Sequence, residues 1–209
     1  EYATNEVIVT AGGKQALFNA VMVLFGEGEE VITHMPGWPT LVEQIKLADA
    51  TPVIVHTHAE DGFTLRAETF LNALTPKTRG IIINSPGNPT GALISEQDLE
   101  ILAKESAKRG IWILLDLCYE KLIYDPTPHN LPGVLVRTMR DRAILCGSAS
   151  KAYAMTGWRC GWVIGPHTLT EHLADLNVAM VYGLPGFVQQ GAVEALARAD
   201  EITAEMRAR

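Results

Sequence analysis

Seven short runs rich in Val, Ile and Leu recur along the chain, and apolar residues at helical spacing follow most of them. A helical bundle or a β-sandwich cannot satisfy that alternation. It calls for βαβ units around a mostly parallel central sheet with helices on both faces, a three-layer α/β fold. The strands are read at Val7–Val9, Glu30–Thr33, Pro52–Val55, Gly80–Ile83, Ile111–Leu115, Arg142–Leu145 and Cys160–Ile164. In the first unit Gly12-Gly13 breaks the strand, and Leu17, Ala20, Val21 and Leu24 repeat at helical spacing until Gly26. Ser95-Glu96-Gln97-Asp98 resembles a capping box opening a helix through Lys108, which Gly110 closes. Glu194 to Arg209 reads as a helical tail.

With 209 residues, 47% of them hydrophobic, and no repeat, low-complexity tract or long linker, the chain is read as one α/β domain. Its 17 basic and 24 acidic residues give a net charge of −7 without basic clusters, which excludes nucleic acid or an anionic membrane surface as the main partner. No apolar run approaches the roughly 20 residues of a membrane helix. Ile111 to Leu115, the strongest candidate, stops at Asp116. Cys118, Cys146 and Cys160 form no C-x-x-C pair, against both a disulfide framework and a zinc site, so a reducing cytoplasm is expected. The sequence opens at Glu1 with no initiator Met, basic stretch or cleavage site, and is read as a fragment without a signal peptide.

In sheets of this kind, reactive groups gather where loops leave the carboxyl ends of strands. Gly12-Gly13-Lys14, Trp38, Asn84 to Asn88, Asp116 to Tyr119 and Ser148 to Lys151 each follow a strand, which predicts one composite site.

Asp116 ends what should be a buried strand, where an unpaired carboxylate costs several kcal/mol. Magnesium would require a phosphate-binding loop of the form G-x-x-x-x-G-K-[ST], which Gly12-Gly13-Lys14-Gln15 does not match. A protonated ring nitrogen on a cofactor is a second partner; an ordinary cap on the next turn is the plain alternative. Gly12-Gly13 before a helix suits an anion, although any strand-to-helix turn can look the same. Lys151, with hydroxyls at Ser148 and Ser150 and Arg159 eight positions on, offers an amine nucleophile beside a bidentate phosphate clamp; desolvation is expected to lower its pKa. A surface Lys is the ordinary reading of such a residue taken singly.

Asn84 to Gly91 is a turn by its Pro and Gly content, and Asn88 before Pro89 could hold its amide in fixed orientation through a cis bond. Trp38, among Pro36, Gly37 and Pro39, could lie flat on a ligand ring or plug the core. His56 and His58 lack a third metal ligand and read as solvated, and Met35, Met155 and Met180 as gap fillers.

In combination these segments resemble the class I/II aminotransferases, the fold type I family that uses pyridoxal 5′-phosphate. The resemblance runs in order through Gly12-Gly13-Lys14-Gln15-Ala16-Leu17, Pro36-Gly37-Trp38, Asn84 to Gly91, Asp116-Leu117-Cys118-Tyr119-Glu120, and Ser148-Ala149-Ser150-Lys151 to Gly161. It implies that Lys151 forms the Schiff base and shuttles the proton, that Asp116 pairs with the pyridinium nitrogen, and that Tyr119 and Asn88 bond the phenolic oxygen. It further implies Trp38 stacked on the ring and meeting the substrate carboxylate with Asn88. The phosphate would sit on Gly13, Lys14 and Gln15, with Ser148 and Arg159 closing the cup.

The resemblance also implies a homodimer acting on an amino acid and a 2-oxo acid. The family's small domain is built from both chain ends, including the Arg that binds the substrate α-carboxylate. Residues 1–209 are therefore read as the large, cofactor-binding domain alone, expected to transaminate weakly. Val178 to Gly191 lacks a Ser/Thr-rich stretch associated with aspartate-type members, against strict aspartate specificity. Two other functions fit the same residues: a lyase on this scaffold, and an effector-sensing domain of a transcription regulator.

Overall fold

The computed structural model describes residues 1–124 and 129–208. Each expected apolar run is a strand: β1 (Val7–Thr10), β2 (Glu30–Met35), β3 (Thr51–His56), β4 (Thr78–Asn84), β5 (Trp112–Asp116), β6 (Ala143–Ser148) and β7 (Gly161–Ile164). Between and after them run α1 (Gly13–Leu24), α2 (Pro39–Leu47), α3 (Ala67–Leu71), α4 (Glu96–Arg109), α5 (Leu131–Met139), α6 (His167–Val181), α7 (Gly186–Ala197) and α8 (Ala199–Ala208). The expected single tail is thus two helices, and Arg209 lies outside the described residues.

The strands form one sheet in the order β1-β7-β6-β5-β4-β2-β3. β2, β3, β4, β5 and β6 pair in parallel, whereas β7 is antiparallel to both β6 and β1. Two reversals cancel, so β1 runs with the majority and β7 alone runs against it. The first strand-helix-strand succession is not a pair of neighbours: β1 lies at one edge and β2 far across the sheet. α1 covers the intervening strands β5, β6 and β7.

Two cores sandwich the sheet. Ile81, Ile83, Ile113, Leu115 and Leu145 pack under Phe70 of α3, Leu99 and Leu102 of α4 and Val134 of α5. Ile82, Leu114, Ile144 and Val163 face Leu17 and Val21 of α1, Ile45 of α2 and Leu173 of α6. Because both faces are covered, β4 and β5 read as unbroken apolar runs rather than alternating ones. Their period of two still decides direction: Leu114, and with it Asp116, points to the face that α1 covers.

α4 starts and stops as its sequence indicates. The Ser95 hydroxyl accepts the Asp98 N–H at 2.9 Å, and Gly110 closes the helix in the left-handed region at φ 68°. The Asp98 carboxylate departs from the expected reciprocal box: it accepts from the Ser95 hydroxyl at 2.5 Å and from the Ala67 N–H at 2.8 Å, so it caps α3. Met155 is buried as expected, but Met180 is 46% exposed, because its side of α6 faces away from the sheet. His56 and His58 are exposed. Among the described residues, no helix is long and apolar enough to cross a membrane.

Ser95→Ala removes one cap bond of α4 and a donor to the group that caps α3. It is expected to cost about 1 kcal/mol, read as a lower urea midpoint at unchanged slope; a midpoint equal to the parent's would show that the cap contributes nothing.

Candidate active site

Every segment singled out for chemistry reaches the same edge of the sheet. Trp38 follows β2, Asn84 and Asp116 end β4 and β5, Ser148 ends β6, and Gly12 and Gly13 follow β1. Arg159 joins them only because β7 is reversed: the amino end of that strand lies where its neighbours end. Ser148 pairs with Gly161 across the two strands, and the Ala149 N–H donates to the Cys160 carbonyl at 3.0 Å. Lys151 and Arg159 therefore belong to one loop closed at its base.

A cavity of about 130 Å³ opens at this edge, lined by Lys14, Trp38, Asn84, Asn88, Asp116, Cys118, Tyr119 and Lys151. Six of the ten predicted site residues line it. Gln15 and Arg159 line an adjoining groove shared with Lys14. Gly13 and Ser148 sit between them, since a Cβ on Gly13 would lie 2.8 Å from Cys118 Sγ and 3.2 Å from Ser148 Cβ.

Asp116 is 2% exposed. Its Oδ1 accepts the Cys118 N–H at 3.1 Å, so the plain reading of a turn cap is realised. No ion pair found among the described residues involves it. Burial pushes its pKa up, and the Cys118 thiol and N–H offset this only in part. One cap bond leaves most of a carboxylate's acceptor capacity for a cationic donor. Burial likewise raises the Tyr119 hydroxyl, keeping it a donor at neutral pH.

At the other end the charge is positive. Gly12 takes φ +86°, and a Cβ there would fall 2.5 Å from Arg159 Nη2, so the guanidinium lies directly over the turn. Arg159 donates from Nη2 to the Ala11 carbonyl at 3.1 Å and from Nη1 to the Thr156 carbonyl at 2.9 Å. It is held beside the amino terminus of α1, whose amides and dipole also favour an anion. The turn is braced by Gln15 Oε1, accepting the Ala11 N–H at 2.6 Å, and by Gln44 Nε2, donating to the Lys14 carbonyl at 3.1 Å. The Gln15 N–H, expected among the anion's donors, bonds the Gly12 carbonyl at 3.1 Å.

Lys151 corrects one expectation. It is exposed rather than desolvated, because its position just beyond a buried strand end leaves it open to solvent. The Asn88-Pro89 bond is cis, as considered, and so are Met35-Pro36 and Ser85-Pro86. Trp38 combines both of its readings: it packs partly on the core, lines the cavity and carries the Lys14 ammonium 5.2 Å from its ring centroid.

Two lining residues were not predicted as site residues. Asn84 is in register with Asp116 across the parallel pair, so a polar residue closing the neighbouring apolar strand was the available signal. Cys118, two beyond Asp116, shares its turn.

Comparison with known proteins adds a lineage to this geometry. The family model for aminotransferase class I and II matches residues 1–209. A probable aspartate/prephenate aminotransferase of Aquifex aeolicus is 38% identical over 196 residues, covering 94% of this chain and 50% of that protein. An arginine–pyruvate transaminase of Pseudomonas aeruginosa is 39% identical over 194 residues, covering 91% and 48%. A mutant aspartate aminotransferase of Thermus thermophilus superimposes with a TM-score of 0.92 at 32% identity, over 98% of this chain and 56% of that one. The chain belongs to the class I and II aminotransferase family. It spans about half the length of the curated relatives that it matches.

A carboxyl group whose pKa is raised in the folded state keeps its proton to higher pH there than in the unfolded chain. Stability therefore falls as pH rises from the ordinary carboxylate range through the raised value of Asp116. In the cofactor-free protein, Asp116→Asn is expected to remove that dependence and raise the unfolding free energy at pH 7 by about 1–3 kcal/mol. A variant less stable than the parent at neutral pH would contradict this account of the site.

Proposed function

We propose that this chain is the cofactor-binding large domain of a pyridoxal 5′-phosphate-dependent aminotransferase, which moves an amino group from an amino acid to a 2-oxo acid. The observation that carries the reading is the cavity with Asp116, Asn88, Tyr119 and Lys151 on its walls and the Arg159 cup beside it. Those residues fit the cofactor group by group. A buried carboxylate without a cation suits a pyridinium N–H, and a glycine turn under a guanidinium suits a phosphate. When bound, pyridoxal 5′-phosphate supplies an electron sink for the charge left at the substrate α-carbon.

The residues divide the remaining work. Asp116 would accept from the ring N–H and hold its proton in place. The Asn88 amide and the Tyr119 hydroxyl would donate to the ring oxygen, and Trp38 would shield the ring. The cup formed by Gly13, Lys14, Ser148 and Arg159, on a turn that Gln15 braces, would bind the phosphate and fix orientation before reaction, so less would be lost to ordering later. Lys151 Nζ would hold the group through its amine, and once the amine of an amino acid had taken that place, the freed Lys151 amine would take the substrate α-proton. Trp38 and Asn88 also meet the substrate carboxylate. The relatives' names include acidic and basic amino donors at similar identity, so the shared residues carry the transfer rather than the choice of side chain.

The small domain that the family resemblance implies would lie in the part of the relatives' length that this chain does not span. A homodimer is supported by the apolar surface around the junction of α6 and α7, where Tyr182 is 85% and Phe187 74% exposed. Three free thiols suit a reducing cytoplasm.

Borohydride reduction of the complete polypeptide with pyridoxal 5′-phosphate, followed by peptide mapping, tests the reading. The added mass is expected on the Lys151 peptide and is expected to disappear in Lys151→Ala. With an amino acid and a 2-oxo acid present, stoichiometric conversion of the oxo acid is expected rather than release of ammonia. A folded protein without the adduct, or an adduct unchanged in Lys151→Ala, would sink it.

A further inference from the structure

Behind the cavity lies a buried pair that the chemistry above leaves unused. His34, in β2, is 3% exposed, with its ring edge-on to Phe70 at 6.5 Å between centroids. Its Nε2 accepts the Asn84 N–H at 3.3 Å. Its other nitrogen lies toward the backbone of Pro36, which has only a carbonyl to offer. A nitrogen that accepts carries no proton, so the ring is a neutral imidazole with its proton on Nδ1. Burial, by pushing its pKa down, keeps it neutral.

Asn84 is 1% exposed and spends its whole side chain on the site. Its Oδ1 accepts the Asn88 N–H at 2.8 Å, and its Nδ2 donates to the Asp116 carbonyl at 3.5 Å. The next N–H in the chain, that of Ser85, reaches the same carbonyl at 3.3 Å. Starting from one imidazole, hydrogen bonds run through Asn84 to the backbone of Asn88 and to the end of the strand that carries Asp116, and the ring's other nitrogen faces the Pro36 carbonyl in the loop that carries Trp38. These are the three groups proposed to meet a ring from its face, its oxygen and its nitrogen.

We propose that His34 is a positioning residue, which acts through Asn84 as a brace that holds Trp38, Asn88 and Asp116 in mutual register. Its effect on cofactor binding rests on the function proposed above, whereas the brace itself does not. Loss of the imidazole frees the Asn84 N–H inside the protein and loosens the turn whose first bond it anchors. The Asn88 amide then meets the ring oxygen less well, and the protonation balance at the anchored amine shifts with it.

The test compares His34→Leu, which fills the space without hydrogen-bonding groups, with His34→Gln, whose amide can both accept from Asn84 and donate to Pro36. Both are made in the complete polypeptide, with retention of fold checked by circular dichroism. Amide hydrogen exchange at Asn84 and Asn88 is measured without cofactor. Affinity for pyridoxal 5′-phosphate and the pH midpoint of its visible band are then measured with it.

His34→Leu is expected to speed exchange at both amides about tenfold, the change that one lost hydrogen bond of ordinary strength produces. It is also expected to weaken cofactor affinity by a similar factor and to move the midpoint. His34→Gln is expected to restore most of each. Exchange and midpoint unchanged in His34→Leu would overturn the proposal, and so would a Gln variant no better than Leu, because the role would then be packing alone. If the parent takes up no pyridoxal 5′-phosphate, the proposed function fails while the exchange comparison still decides the brace.

Discussion

A carboxylate at the end of the sheet's buried central strand is the constraint on which the rest of this molecule depends. Asp116 is almost fully buried, bonded to a neighbouring N–H and thiol, and among the described residues it pairs with no cation. Such a group is tolerated at a site that a positively charged partner will complete, because desolvation alone works against its charged form. The surrounding fold serves that arrangement. Apolar strands on both sides keep the edge rigid, and helices on both faces keep it dry.

The other end of the site has the opposite character. A guanidinium lies over a glycine turn at a helix amino terminus, so positive charge is concentrated there with no ion-pair partner among the described residues. A ligand bridging the two ends must be cationic at one and anionic at the other. That polarity fixes its orientation before any contact with substrate is made.

Much of this was legible in the residues. Apolar β-branched runs gave the seven strands because a doubly covered sheet needs them, and the polar residues just past those runs gave the site edge. The order of strands was not legible. That β1 pairs with β7 is settled by pairing between segments more than 150 residues apart, which no local pattern records, and the reversal of β7 is set by its pairing with β6 across residues 149–160. Lys151 was expected to be desolvated and is exposed, since burial of a loop residue depends on what packs over it. Met180 misled because its side of α6 faces away from the sheet. The role of His34 was invisible because a lone buried histidine looks alike in sequence whether it fills space or carries a network.

The reversal of β7 has a consequence for how this site can change. It turns residues 149–160 into a closed loop whose two stems are hydrogen-bonded together. The amine nucleophile and the anion clamp thus travel on one short segment, with their separation set by its length rather than by the sheet. A substitution inside the segment alters one group. An insertion or deletion resets the reach of both at once, so the pair is free to vary in chemistry but locked in span.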